Sequence, residues 1–142
     1  MSRETKIYLA APLFSQAERA FNARLRQLLD NRGFCVYLPQ EDSEDNSSKR
    51  DDRDQQRLFE NNRDAIDKCD IIVAVLDGGS DVDSGTAWEI GYAYAKRKTL
   101  LALKTDFRTL GSEGIVNLMI ERSVNELETD VESLLDALEK YR

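Results

Sequence analysis

Histidine is absent from this sequence of 142 residues. The absence excludes a Ser-His-Asp triad, a Cys-His pair and any metal site that depends on histidine ligands. If the protein is an enzyme, carboxylates, tyrosines or lysines must carry out proton transfer and nucleophilic attack.

Cysteine is scarce as well, because only Cys35 and Cys69 occur, without CxxC spacing. Isolated cysteines beside apolar segments are typical of reduced, buried thiols and not of disulfides or metal ligands. The sequence also has no apolar run near the roughly 20 residues that span a bilayer, and residues 1–6 lack the apolar core of a signal peptide. These absences predict a cytoplasmic location and no membrane partner.

Basic residues are outnumbered, with 20 lysines and arginines against 27 acidic residues and a net charge of −7. A negative net charge disfavours nucleic acid and anionic membranes as partners and leaves small molecules open. The acids Asp77, Asp81 and Asp83 lack the ligand spacing of an EF-hand, so we expect no metal ion, and no cofactor is predicted. The length suits a single domain over residues 1–142.

Short apolar strands alternate with amphipathic helices along the chain. Strands are predicted over residues 6–10, 34–38, 70–76, 99–103 and, weakly, 121–124. Helices are predicted from a capping box at Ser15 to about Arg32, from Gln56 to Lys68, from the acidic loop after residue 77 to about Lys96, over 115–120 and from Glu126 to Tyr141. Residues 40–54 are predicted to form a polar loop. The alternation predicts an α/β fold, namely a flavodoxin-like, doubly wound, five-stranded parallel sheet with helices on both faces.

The most informative stretch is residues 77–98. The apolar run 71–76 leads into an acidic, glycine-rich loop, and the helix that follows carries Glu89 among Trp88, Ile90 and other apolar or small residues. Open α/β sheets bind ligands at the carboxyl ends of their strands. A carboxylate in such company is poorly solvated, which makes Glu89 a candidate for chemistry.

Three further residues are candidates to join Glu89, and each has an ordinary structural alternative. Tyr8 lies near the carboxyl end of the first strand, at the same sheet edge, where its hydroxyl can donate to Glu89 or its ring can simply pack in the core. Asp83 can bind a ligand or cap the following helix. Asp64 lies inside a predicted helix, where a solvated surface acid is the ordinary interpretation. The residues alone leave these alternatives open.

Four segments in order together resemble the nucleoside 2-deoxyribosyltransferase family. They are IYLAAPLF at 7–14, NRD at 62–64, DSGTAWEIG at 83–91 and NLM at 117–119. The resemblance implies an enzyme of nucleoside salvage that exchanges the base of 2′-deoxynucleosides, with free purine or pyrimidine bases as the second substrate.

The resemblance also implies a role for each catalytic residue. Glu89 would attack the anomeric carbon and form a covalent deoxyribosyl ester, so that a second attack gives net retention. Tyr8 would orient Glu89, Asp64 would protonate the departing base, and Asp83 would accept hydrogen bonds from the sugar hydroxyls.

Further residues are implicated in binding. The resemblance implies that Asn117 and Met119 reach the site of a neighbouring subunit, and hence a homo-oligomer with shared active sites. It also implies that Phe14 contacts the substrate. Gln40, just after the second strand, is a candidate amide for recognising the base.

Two alternatives to a transferase remain. The first is an N-hydrolase of deoxynucleosides or deoxynucleotides with the same glutamate, in which water replaces the second base. A related branch that hydrolyses deoxynucleoside 5′-monophosphates has a glycine- and serine-rich first loop, whereas residues 10–14 here are apolar, which favours free nucleosides. The second alternative is a non-enzymatic flavodoxin-like signalling or binding domain, but a receiver needs acids after its first strand, and this chain has Ala10-Ala11-Pro12 there.

Overall fold

In the computed structural model, which describes residues 3–43, 51–110, 112 and 114–142, five strands form one parallel sheet. The strands are β1 (Lys6–Ala10), β2 (Cys35–Tyr37), β3 (Ile71–Val75), β4 (Thr99–Leu103) and β5 (Glu126–Glu128). Their spatial order is β2-β1-β3-β4-β5, and all four neighbouring pairs are parallel. The predicted five-stranded parallel fold is confirmed.

Helices cover both faces of this sheet. They are α1 (Gln16–Asn31), α2 (Pro39–Asp42), α3 (Asp52–Lys68), α4 (Ser84–Ala95), α5 (Leu118–Ser123) and α6 (Val131–Leu138), followed by a 3₁₀ turn over Glu139–Tyr141. None of the helices in the described ranges is long and apolar enough to cross a membrane.

The two sides of the sheet carry separate cores because strand side chains alternate between faces. On β1, Ile7 and Leu9 belong to the core that includes residues of α1 and α6. Tyr8 and Ala10 point the other way, into the core that includes residues of α3 and α4. All five residues of β3 are buried, as expected for a central parallel strand covered on both sides. The Tyr8 side chain therefore lies in the core on the side of the sheet that α4 covers.

The start of α1 follows the predicted capping box. The Ser15 side chain accepts a hydrogen bond from the Glu18 backbone at 3.1 Å, and the Ser15 backbone N–H donates to the Glu18 carboxylate at 2.8 Å. Gly33, with a φ of 89°, follows the end of the helix in the left-handed conformation that glycine favours.

The C-terminal elements differ from the prediction. Residues 121–124 do not form the fifth strand; the strand is Glu126–Glu128, which pairs with residues 101–103 of β4. The last helix begins only at Val131, because Asp130 caps it by accepting from the Ser133 backbone at 2.8 Å. The short helix predicted over 115–120 lies at Leu118–Ser123.

The predicted loop over residues 40–54 is also partly wrong. Pro39–Asp42 form the short helix α2, with proline in its first turn, where a missing N–H costs nothing. Helix α3 starts at Asp52 and not at Gln56, since the Asp51 carboxylate accepts from the Asp54 backbone at 2.9 Å. Residues 44–50 of the predicted loop lie outside the described residues. Both cysteines are free, but only Cys69 is buried, while Cys35 is exposed.

Candidate active site

Glu89 and Tyr8 meet beside the carboxyl ends of the central strands. Glu89 projects from α4, and the hydroxyl of Tyr8 on β1 donates a hydrogen bond to Glu89 Oε2. The Tyr8 side chain is fully buried, so its ring is part of the core and its hydroxyl is held in place by that packing. The two alternatives for Tyr8, a core aromatic and a partner of Glu89, are therefore both true of its position.

The surroundings of this pair change its acid–base properties. Burial raises the pKa of Glu89 to about 7; the Tyr8 hydrogen bond lowers it and the charge of Asp83 raises it. Burial, followed by the nearby charge of Glu89, raises the pKa of Tyr8 well above its ordinary value. Tyr8 consequently stays protonated near neutral pH and remains a donor, while Glu89 titrates close to neutrality.

A cavity of about 430 Å³ opens in front of Glu89. Its volume is in the range of small-molecule sites. Three exposed aromatic side chains line it, with Phe14 71%, Trp88 50% and Phe59 40% exposed. The rings of Phe59 and Trp88 meet edge to face with centroids 5.3 Å apart. An exposed aromatic wall of this kind offers a planar ligand a surface for stacking.

Helix α3 separates this cavity from a second one of about 460 Å³. The face made by Phe59, Asn62, Arg63 and Ile66 lines the Glu89 cavity. The face made by Asn61, Asp64, Ala65 and Lys68 lines the second cavity. Each set has the spacing i, i+3, i+4, i+7, which places its members on one side of a helix.

The structure does not bring Asp64 to Glu89, in contrast to the prediction. Residue 64 follows Asn62 by two positions, which turns its side chain by about 200° around the helix axis. Asp64 is about half exposed and forms an ion pair with Arg63 at 3.2 Å. Asp64 is among the residues that line the second cavity and not among those that line the cavity in front of Glu89.

Asn62 lines the Glu89 cavity and Tyr37, which lines the second cavity, contacts both Asn62 and Tyr8; sequence reasoning singled out neither residue. The Tyr37 ring stacks on Tyr8 with centroids 5.5 Å apart and 14° between the planes. The Tyr37 hydroxyl donates to Asn62 Oδ1 at 3.1 Å. Phe59 and Ile66 are recognisable from the sequence as inward-facing residues, and extending their helical spacing finds Asn62.

Asp83 lines the Glu89 cavity and also caps α4. Its Oδ2 accepts from the backbone N–H of Thr86 at 3.0 Å and from the Thr86 hydroxyl at 3.1 Å. A Cβ added at Gly85 would approach that oxygen to 3.3 Å, so glycine leaves the carboxylate its room. Capping and a place in the cavity are thus compatible for Asp83.

Gln40 is engaged within the protein and does not lie among the described residues that line the Glu89 cavity. Its Oε1 accepts from Asn22 at 3.0 Å, and its Nε2 donates to the Arg19 carbonyl at 2.9 Å. The neighbouring Pro39 lines the cavity instead. Both polar ends of the Gln40 side chain thus join α2 to α1 in this structure, and its role in recognising the base stays a prediction.

Asn117 and Met119 also lie away from the Glu89 cavity of their own chain. Asn117 caps α5 by accepting from the Met119 backbone at 2.9 Å. Met119 is 73% exposed. It lines a groove of about 400 Å³ between α4 and α5, together with Ile90 and Tyr94. Among the described residues, no group of histidine, cysteine and acidic side chains is arranged to hold a metal ion.

Comparisons with known proteins agree with this fold. The family model described as nucleoside 2-deoxyribosyltransferase matches residues 7–133. The structure resembles a 2-deoxyribosyltransferase from Bacillus psychrosaccharolyticus, with 26% identity, a TM-score of 0.80, and coverage of 92% of this chain and 90% of that one. A 2-desoxiribosyltransferase from Leishmania mexicana gives 25% identity, a TM-score of 0.76, and coverage of 97% and 99%.

A conserved protein from Enterococcus faecalis is similar at 30% identity, with a TM-score of 0.78 and coverage of 97% of this chain and 99% of that one. No curated protein sequence matches the chain significantly.

Proposed function

The chain belongs to the nucleoside 2-deoxyribosyltransferase family, and on that premise we propose that it exchanges the base of 2′-deoxynucleosides through a covalent deoxyribosyl ester on Glu89. The observation that carries the proposal is the contact of Tyr8 with Glu89 at the wall of a cavity of about 430 Å³. Family membership supports action on nucleosides and bases; the nucleophile and its intermediate are the proposal.

In the first half-reaction, ionised Glu89 attacks the anomeric carbon of the bound deoxynucleoside. The Tyr8 hydroxyl occupies Oε2, which orients the carboxylate and leaves the other oxygen for attack. The bond from that carbon to the base nitrogen breaks, and the sugar is left as an ester of Glu89. A second base attacks the same carbon in the second half-reaction, so two inversions give net retention.

Binding follows from the side chains around the cavity. Asp83 accepts hydrogen bonds from the sugar hydroxyls, and Phe14, Phe59 and Trp88 stack against the base. Asn117 and Met119 serve the site of a neighbouring subunit in a homo-oligomer, which is consistent with the exposure of Met119 on the surface of one chain.

Product analysis tests this function. The protein is incubated with 2′-deoxyinosine, with and without free adenine or cytosine, and the products are separated. We expect a new deoxynucleoside that forms only when the second base is present and only with intact Glu89. The variant Glu132→Gln, at an exposed position on α6, is the matched control and should keep full activity. Release of hypoxanthine and free deoxyribose without any transfer would assign the chain as a hydrolase instead.

A further inference from the structure

We propose that Asn62 assists departure of the base by donating a hydrogen bond from Nδ2, in place of a carboxylic acid, and that Tyr37 is the positioning residue that fixes the direction of this amide. The inference rests on the proposed function and concerns the same cavity. It replaces the acid role expected of Asp64.

The placement of side chains around α3 is the first argument. Asn62 lies on the face of α3 that lines the Glu89 cavity, whereas Asp64 lies on the face that lines the second cavity and pairs with Arg63. The described residues of the Glu89 cavity include three charged side chains, namely Glu89, Asp83 and Arg63. Glu89 has the role of nucleophile, Asp83 serves as an acceptor for Thr86, and a guanidinium does not give up its proton.

The direction of the Asn62 amide is the second argument. The Tyr37 hydroxyl donates to Asn62 Oδ1 at 3.1 Å. Burial, followed by the charge of Asp42, raises the pKa of Tyr37, which keeps the hydroxyl protonated. Because Oδ1 accepts this bond, the two N–H groups of Nδ2 are what Asn62 offers a ligand. Stacking of Tyr37 on the buried Tyr8 ring holds the donor in place.

The chemical step then balances without an acid. The Glu89 oxygen forms its bond to the anomeric carbon while the bond from that carbon to the base nitrogen breaks, and the electron pair goes to the base. The negative charge spreads over the ring and its acceptor atoms, where the Asn62 N–H stabilises it. Asn62 keeps its proton, and the released base takes one from water. The ligand group that Asn62 recognises is therefore an acceptor beside the glycosidic nitrogen, such as purine N3 or pyrimidine O2.

Two kinetic consequences distinguish this arrangement from acid catalysis. Without protonation, the rate must depend steeply on the acidity of the departing base. Without an acid to lose its proton, activity should rise through about pH 7 as Glu89 ionises and then stay level to pH 9. A general acid would add a falling limb at high pH and give a bell-shaped profile.

The experiment measures kcat and kcat/KM for 5-fluoro-2′-deoxyuridine, 2′-deoxyuridine and thymidine, or for 6-substituted purine deoxyribosides if pyrimidines are refused. The wild-type rate should fall more than about tenfold along the series. In the Asn62→Asp variant, which supplies an acid, the rate should depend less on the departing base. Asn62→Ala should lower kcat about 10- to 100-fold, and Asp64→Asn should stay within about threefold of wild type. An alkaline limb that Asp64→Asn removes would overturn the inference.

A double-mutant cycle tests the positioning role of Tyr37. Tyr37→Phe alone should lower kcat about three- to tenfold, but should add no further loss to Asn62→Ala, because it acts through Asn62. If the double variant instead lost the product of the two single-variant losses in kcat, Tyr37 would act independently of Asn62. That result would contradict the positioning role and indicate a merely structural one. Thermal unfolding of each variant shows whether it is folded.

Binding separates this inference from the proposed function. In a Glu89→Ala background, which cannot turn substrate over, adding Asn62→Ala should weaken binding of 2′-deoxyinosine about tenfold, whereas adding Asp64→Asn should not. Binding that is indifferent to Asn62 would overturn the inference. If binding depends on Asn62 but the wild type processes no deoxynucleoside, the proposed function fails and the recognition by Asn62 stands.

Discussion

The Tyr8–Glu89 pair and the Asn117–Met119 segment carry parts of the same family resemblance, yet they stand in opposite surroundings. Tyr8 is fully buried and donates directly to Glu89. Met119 is 73% exposed, and the nearby Tyr94 is 61% exposed. The difference teaches that core packing within one chain organises the Tyr8–Glu89 pair, while the second segment lies on a surface that a single chain leaves open.

The largest effect is expected at the buried end of this comparison. Glu89→Gln keeps the size of the side chain but removes the proposed nucleophile, so transfer and hydrolysis should both fall at least about a thousandfold. The measurement is the rate of base release, with circular dichroism to show that the fold is intact. Turnover near the wild-type rate by a folded Glu89→Gln protein would contradict the proposed mechanism.

The same variant should change stability in a pH-dependent way. The folded-state pKa of Glu89, about 7, exceeds the ordinary 4.5, so the folded state holds this proton more tightly than the unfolded state does. Wild-type stability should therefore fall as pH rises from about 4.5 to 7, by at most about 3 kcal/mol. Glu89→Gln should lack this part of the decline. Parallel denaturant unfolding curves for the two proteins at pH 5 and pH 8 check the difference, and equal declines would contradict it.

A smaller effect is expected when the partner of Glu89 is removed. The Tyr8 hydrogen bond lowers the pKa of Glu89, so its loss in Tyr8→Phe should raise that pKa further. Because the ionised carboxylate attacks, the rising part of the pH–rate profile should move to higher pH. Activity at neutral pH should drop about 10- to 100-fold. A profile with an unchanged midpoint would show that Tyr8 does not set the ionisation of Glu89.

The smallest effect is expected at the exposed end. Asn117→Ala should reduce activity about tenfold, the worth of one hydrogen bond to substrate. When it is mixed with Glu89→Ala protein, the activity should exceed that of the same amount of Asn117→Ala protein measured alone. The reason is that mixed oligomers contain sites with both residues intact. If labelled subunits exchange and no activity is gained, the shared-site proposal is wrong.

Local patterns predicted much of the fold. Apolar runs predict strands over residues 6–10 and 99–103 at the positions observed, because each run has a clear boundary: Pro12 follows the first, and Lys98 and Lys104 flank the second. Leu127 illustrates the failure at the C-terminus: an apolar residue between two acids suits a strand as well as a helix. Pairing with Ala102 of β4 decides for the strand, and that pairing is not visible in the local sequence.

The candidate site was predictable to the extent that it depends on strand ends. Tyr8 and Glu89 meet because parallel strands deliver residues to one edge. Asp64 on α3 lies apart from this pair for a different reason, since a shift of two residues on a helix selects the opposite face. The motif that contains Asp64 also contains Asn62, and only the phase relative to Phe59 and Ile66 distinguishes which one lines the cavity.

The identity of the covalent carrier is the central claim, and one measurement tests it most directly. Protein is mixed with 2′-deoxyinosine without any acceptor base, quenched in acid within the first turnover, digested and analysed by mass spectrometry. We predict that the peptide containing Glu89 gains the mass of one deoxyribosyl group, and that free adenine added before the quench removes it. Base release in the first turnover with no modified peptide, or with the sugar on another residue, would contradict the account.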